Sequence, residues 1–175
     1  MNYKVKTIIL RAFAIFCSLF AMVSMAFGAI FSQTKAGDLS YTSESASFGD
    51  WFSQLNGDAS FVFGDAEGTW KASEAFFIIS IILLSLIIIG IVLQFFIKKG
   101  WLNLTIKIMS IVSMLTVLTA FVLMLTGCIQ LSSLIDSAVN VLPAAGGWLF
   151  VIFGLIGSGL GIACGQKLTA KKRKK

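Results

Sequence analysis

Four stretches of this chain carry no charged residue: Ala12–Thr34, Ala75–Ile97, Ile108–Ile135 and Ser137–Gln166. They are 23, 23, 28 and 30 residues long. About 20 helical residues, at ~1.5 Å each, cross a hydrocarbon core of ~30 Å. Backbone N–H and C=O groups cannot go unpaired in lipid, so apolar runs of this length have to be helical. The pattern predicts an all-α membrane protein, a bundle of four transmembrane helices over about 12–31, 75–97, 108–129 and 143–166. A loop over 32–74 and a tail over 167–175 complete the 175 residues as one membrane domain. Composition agrees: 57% of residues are hydrophobic and 13% are charged, well below the ~25% of a soluble domain.

Charge placement gives the orientation. With an even number of crossings, one side holds Lys4, Lys6, Arg11, Lys98, Lys99, Lys107 and the bases of 167–175, twelve in all and no acid. The other side holds eight acids and only Lys35 and Lys71. Basic loops stay in the cytoplasm, so both termini are expected there, in the plasma (cytoplasmic) membrane. A second reading stays open at this point. Lys4, Lys6 and Arg11, an apolar run and Ala26-Phe27-Gly28 also spell a cleavable secretory signal, although the run exceeds the usual 7–15-residue core.

The fourth span carries the clearest packing pattern. Gly157, Gly161 and Gly165 recur every four residues, with Gly147 and Gly154 on nearly the same face, a stripe that lets helix backbones approach closely. Its expected receptor is the small face of the third span, Ser113, Thr116, Ala120 and Gly127, or else another membrane protein or a second copy of the chain. Pro143 is expected in the first turn of the fourth helix, where a missing N–H costs nothing. Trp148 and Gln94 are expected at the membrane interfaces.

The loop 32–74 contains Asn56-Gly57 between Asp50–Leu55 and Asp58–Phe63. Asn-Gly favours a two-residue hairpin turn, which predicts a small extracytoplasmic β-hairpin pairing Trp51 with Val62 and Phe52 with Phe61. Trp51, Phe52, Phe61, Phe63 and Trp70 are then either a binding patch or interfacial anchors. The tail residues Lys171, Lys172, Arg173, Lys174 and Lys175 are expected to contact anionic lipid headgroups. No aromatic platform or folded module beside them points to nucleic acid.

Chemistry-bearing sets are absent. The chain has no His, and its three cysteines have no carboxylate beside them, so neither a metal site nor a thiolate is spelled out. There is no glycine-rich phosphate loop, and no cofactor is expected. The charge-free windows also carry no group for a proton relay. These features predict a non-enzymatic accessory, scaffold or junction-type subunit acting through its outer loop and glycine-faced fourth helix. The alternative is a small transporter or channel component with a path lined by Ser113 and Thr116. In topology the chain resembles the claudin-like four-span group, with internal termini, a larger first outer loop carrying strands and a smaller second one. That group's Gly-Leu-Trp and paired loop cysteines are missing here, as is the Cys-Cys-Gly of tetraspanins.

Overall fold

The computed structural model describes residues 3–36, 39–42, 46–56, 64, 66–97, 99–134 and 139–166. In chain order the elements are α1 (Tyr3–Ser24), β1 (Gly28–Ala36), β2 (Leu39–Thr42), β3 (Ala46–Ser47), α2 (Phe48–Asn56), α3 (Glu67–Phe96), α4 (Gly100–Leu134), β4 (Val139–Pro143) and α5 (Ala145–Gln166). Four of the helices are long and apolar enough to cross a membrane: Val5–Ser24, Glu67–Phe96, Gly100–Ser133 and Ala145–Gly165. The exterior is unlike that of a soluble protein. Ser18, Ser73, Ser80, Ser110, Ser113 and Ser158 are buried, while Ile8, Phe13, Phe16, Ile82, Ile89, Leu115, Val122 and Ile152 face outward. An apolar exterior, with serine hydroxyls turned inward among the core's apolar side chains, is what lipid as solvent selects. The chain is an integral membrane protein.

The long helices pack antiparallel in constant register. On the α4/α5 seam, Met124, Val117 and Ser110 meet Gly147, Gly154 and Gly161, so both helices advance by seven residues together. On the α3/α4 seam, Trp70 meets Gly127, Ser80 meets Thr116 and Gln94 meets Asn103. On the α1/α3 seam, Met22 meets Ser85 and Arg11 meets Phe95. These pairings put the start of α1, the α3/α4 turn and the end of α5 at one end of the molecule, and the strands at the other. With 35 residues α4 is about 52 Å long, longer than a hydrocarbon core is thick. Its last turns reach the strands, where Ser132 Oγ accepts the Val141 N–H at 2.8 Å.

The strands form one small antiparallel sheet centred on β1. One edge of β1 takes β2 (Gln33↔Thr42 to Ala36↔Leu39) and, with a register shift, β3 (Gly28↔Ser47, Ile30↔Ala46). Its other edge takes β4 (Ile30↔Pro143 to Thr34↔Val139). The segment after α1 is thereby joined to the segment before α5.

Several expectations need correction. The first helix is not 12–31: it begins at Tyr3 and stops at Ser24, and 28–31 belongs to β1. The third runs well beyond 108–129, as α4. Pro143 is the last residue of β4 rather than the start of α5, which begins two residues later. At a strand end its missing N–H leaves no ladder bond unmade. A charge-free window sees residues 25–34 only as a continuation of the apolar run before them. It cannot see that a strand of Val139 and Val141, more than a hundred residues away, is waiting to pair with them.

The hairpin expected over 50–63 is also corrected. Its first half is a helix, α2, and the observed hairpin is β1–β2, upstream of it. Phe48, Trp51 and Phe52 lie at i, i+3 and i+4, a single helical face. Ser47 caps the helix: its Oγ accepts the Asp50 N–H at 3.2 Å and donates to Asp50 Oδ2 at 2.7 Å, a variant of the reciprocal capping box. Asn-Gly, read as a hairpin turn, is equally a helix stop signal. Val62, Phe61 and Phe63 lie outside the described residues.

Candidate functional site

The described residues contain no group of three or more His, Cys, Asp or Glu side chains able to hold a metal ion. The residues singled out by the sequence are found in three places: the helix seams, an aromatic cap at the strand end, and the basic tail.

The glycines of α5 are occupied inside the molecule. A Cβ added at Gly147 would lie 2.7 Å from Met124 Cε, at Gly154 3.3 Å from Val117, and at Gly165 2.7 Å from the Asn103 carbonyl oxygen. At Gly161 it would collide with Ser110 Oγ. All four face α4. Gly157 faces α1 instead, with Ser18 Oγ 2.6 Å from its absent Cβ. The stripe is thus divided between two neighbours. The sequence missed Gly146, which sits against three carbonyl oxygens where α1 passes into β1 (Ser24, Phe27, Gly28), each 2.8 Å from an added Cβ. A Gly-Gly pair right after a strand is the signal that could have shown it.

The expected receptor face on α4 is only partly the receptor. Ser113 does face α5, accepting a hydrogen bond from Ser158 Oγ at 3.0 Å. Thr116 and Ala120 turn to α3: Ser80 Oγ donates to Thr116 Oγ1 at 3.0 Å, and Ser73 Oγ donates to the Ala120 carbonyl at 2.9 Å. Gly127 receives the Trp70 ring, 2.6 Å from its absent Cβ. Because α4 is gripped from two sides, it needs two small faces, and a single-helix reading merges them.

Gln94 turns inward. It is buried and donates from Nε2 to Asn103 Oδ1 at 2.8 Å, tying the ends of α3 and α4 across their short turn. Apolar replacement of either partner strands the other amide. We expect Gln94→Leu and Asn103→Leu each to lower thermal stability, with a coupling of about 0.6 kcal/mol in the double-mutant cycle. Additive losses measured in detergent would mean that the pair does not tie the helices together.

The aromatic residues form a buried cap rather than an exposed patch. Trp51, only 2% exposed, stands edge-on to Trp70 with ring centroids 4.6 Å apart. Phe48 contacts Phe77 at 4.8 Å, and Phe77 contacts Phe150 at 5.0 Å, both edge-to-face. Phe52 packs beside Trp51 at 5.0 Å. Short amphipathic α2 therefore lays its ring-bearing face onto the ends of α3 and α5. Neither Trp51 nor Trp70 offers its ring to a partner or to the membrane interface, which corrects both expectations. Trp148 is half-exposed, with its ring edge against Phe121 at 4.7 Å. Phe61, Phe63 and the tail bases Lys171, Lys172, Arg173, Lys174 and Lys175 lie outside the described residues.

Comparison with protein-family models gives no match for this chain, and comparison with curated proteins gives none either.

Proposed function

We propose that this chain is a non-enzymatic structural or accessory subunit of the plasma (cytoplasmic) membrane. It is a four-span bundle with both termini in the cytoplasm and its strands and α2 on the outer side. The charge bias supports the sidedness: among the described residues Lys6, Arg11, Lys99 and Lys107 lie at the terminal end with no acid, while Asp50, Glu67 and Glu74 lie at the strand end with Lys35 and Lys71. The polybasic tail then meets anionic lipid on the cytoplasmic face.

The observation that carries the interaction reading is the sheet. It joins the two outer segments into one body on a tightly packed stem, and β2 has a strand partner on one side alone among the described residues. An unpaired strand edge on a rigid support is a surface for adding a strand of another membrane protein or a second copy. Close packing leaves the glycine face of α5 unavailable for that purpose, so the contact falls to the outer cap. The rival reading, a path lined by Ser113 and Thr116, draws on buried hydroxyls that already hold α5 and α3.

Cross-linking from Tyr41→Cys on β2, followed by gentle detergent extraction, is expected to trap a second copy or a second membrane protein. Liposomes bearing the purified chain are expected to pass no solute. Flux that falls on Ser113→Ala or Thr116→Val, without any cross-linked product, would replace the interaction reading with the transport one.

A further inference from the structure

We propose that the terminal end of the α1/α3 seam binds the phosphate headgroup of an anionic phospholipid, with Arg11 as its ligand and Phe95 as the platform that positions the guanidinium. The inference rests on reading α1 as a membrane span.

Arg11 lies within the apolar helix α1, and its guanidinium carbon stands 5.0 Å from the centroid of the Phe95 ring on α3. Its Nε is buried with no hydrogen-bond partner, and no ion pair joins the side chain among the described residues. A guanidinium keeps its charge and has five N–H donors to satisfy, so an arginine in a membrane helix with no protein acceptor must find one elsewhere. The Phe95 ring holds the guanidinium carbon at cation–π distance, and a guanidinium so positioned is suited to taking a phosphate in a two-pronged hydrogen bond.

The level fits a headgroup. Phe95 is next to the last residue of α3, and the exposed Trp101, a ring type that favours the membrane interface, opens the first turn of α4. Phe95 is itself 44% exposed and Arg11 is half-buried, so the pair lies at the margin of the bundle rather than in its core. The charge around it selects for a net-negative lipid. Lys6, Lys99 and Lys107 share this end, and the described acids, Asp50, Glu67 and Glu74, are all at the other. A zwitterionic headgroup would bring its own cation into an already basic neighbourhood, whereas phosphatidylglycerol brings none.

The site differs from diffuse attraction to the tail in being stoichiometric and dependent on one side chain. The test uses the full-length protein in mixed phosphatidylglycerol and phosphatidylcholine nanodiscs, with retained lipid counted by native mass spectrometry after delipidation. Wild type is expected to retain phosphatidylglycerol in preference to phosphatidylcholine. Arg11→Gln is expected to lower that preference about fivefold, the ~1 kcal/mol of one base at an anionic surface. Arg11→Lys, which keeps the charge but loses the fork, and Phe95→Leu, which removes the platform, are expected to fall between. Removal of 167–175 and excess inorganic phosphate are both expected to leave the retained lipid in place. Wild-type preference in Arg11→Gln, equal retention of the two lipids by wild type, or displacement by inorganic phosphate would each overturn the proposal. Carbonate extraction of the same membranes separates the two readings: release of the chain would refute the span, whereas firm insertion without lipid preference would refute only this site.

Discussion

Gly161→Leu is expected to destabilise the protein by about 3 kcal/mol, the upper range of forced overpacking, and to lower its melting temperature in detergent by roughly 10 °C. The reason is local and rigid. A Cβ at this position meets Ser110 Oγ, and the Ile87 side chain stands 3.4 Å away on α3, so neither direction offers relief. Sliding α5 along α4 would not help. The same heptad register presses Gly154 on Val117 and Gly147 on Met124, and a shift that cleared one contact would worsen the others. Gly159 provides the control. A Cβ there has nothing within 4 Å, and Gly159→Leu is expected to leave stability within ~0.5 kcal/mol. Equal melting temperatures for the Gly161 and Gly159 variants would refute the seam as a determinant of stability.

Trp70→Ala is expected to cost about 3–5 kcal/mol, the range for removing a large buried aromatic. Trp70 is fully buried at the point where α2, α3 and α4 converge. Its ring fills the notch at Gly127 on one side and takes the edge of Trp51 on the other. Removing it empties that notch and also frees α2 from its seat. The loss should therefore show twice in spectroscopic unfolding, as a lower midpoint and as loss of the near-ultraviolet aromatic signal of the cap at temperatures where helicity persists. Gly127→Val tests the same contact from the other side, because its side chain would occupy the space of the Trp70 ring. If both variants melt like wild type, the ring does not anchor the cap.

The parts of this architecture that depend on local pattern could be read from the residues alone. Unbroken apolar runs marked the four long helices, since lipid permits no other backbone solution for them. Glycines every four or seven residues marked α5 as a packing helix. What could not be read depends on partners distant in the chain. Whether Gly28–Ala36 continues a helix or becomes a strand is decided by Val139–Pro143. Which of Ser113 and Thr116 faces which neighbour is decided by the positions of α3 and α5 around α4. In α2 a local signal was present and was outweighed: Ser47 followed by Asp50, and rings at 48, 51 and 52, spell a capped helix, but Asn-Gly spells a turn as well. The buried roles of Trp51, Trp70 and Gln94 went unread for a shared reason. Position near the end of an apolar run suggests an interface, whereas here α2 and the α3/α4 turn bring further protein over those ends.

The pairing of β1 with β4 also bears on the order in which the molecule can be completed. Residues 28–36 emerge early in synthesis, yet one of their two edges stays bare until residues 139–143 have been made and α5 has entered the bilayer. Contacts so distant along the chain close slowly and late. Until then the nascent protein presents an open strand to whatever lies outside the membrane, and a chain cut short after α4 would never lose it. The strand that precedes α5 therefore finishes the sheet begun by the strand that follows α1.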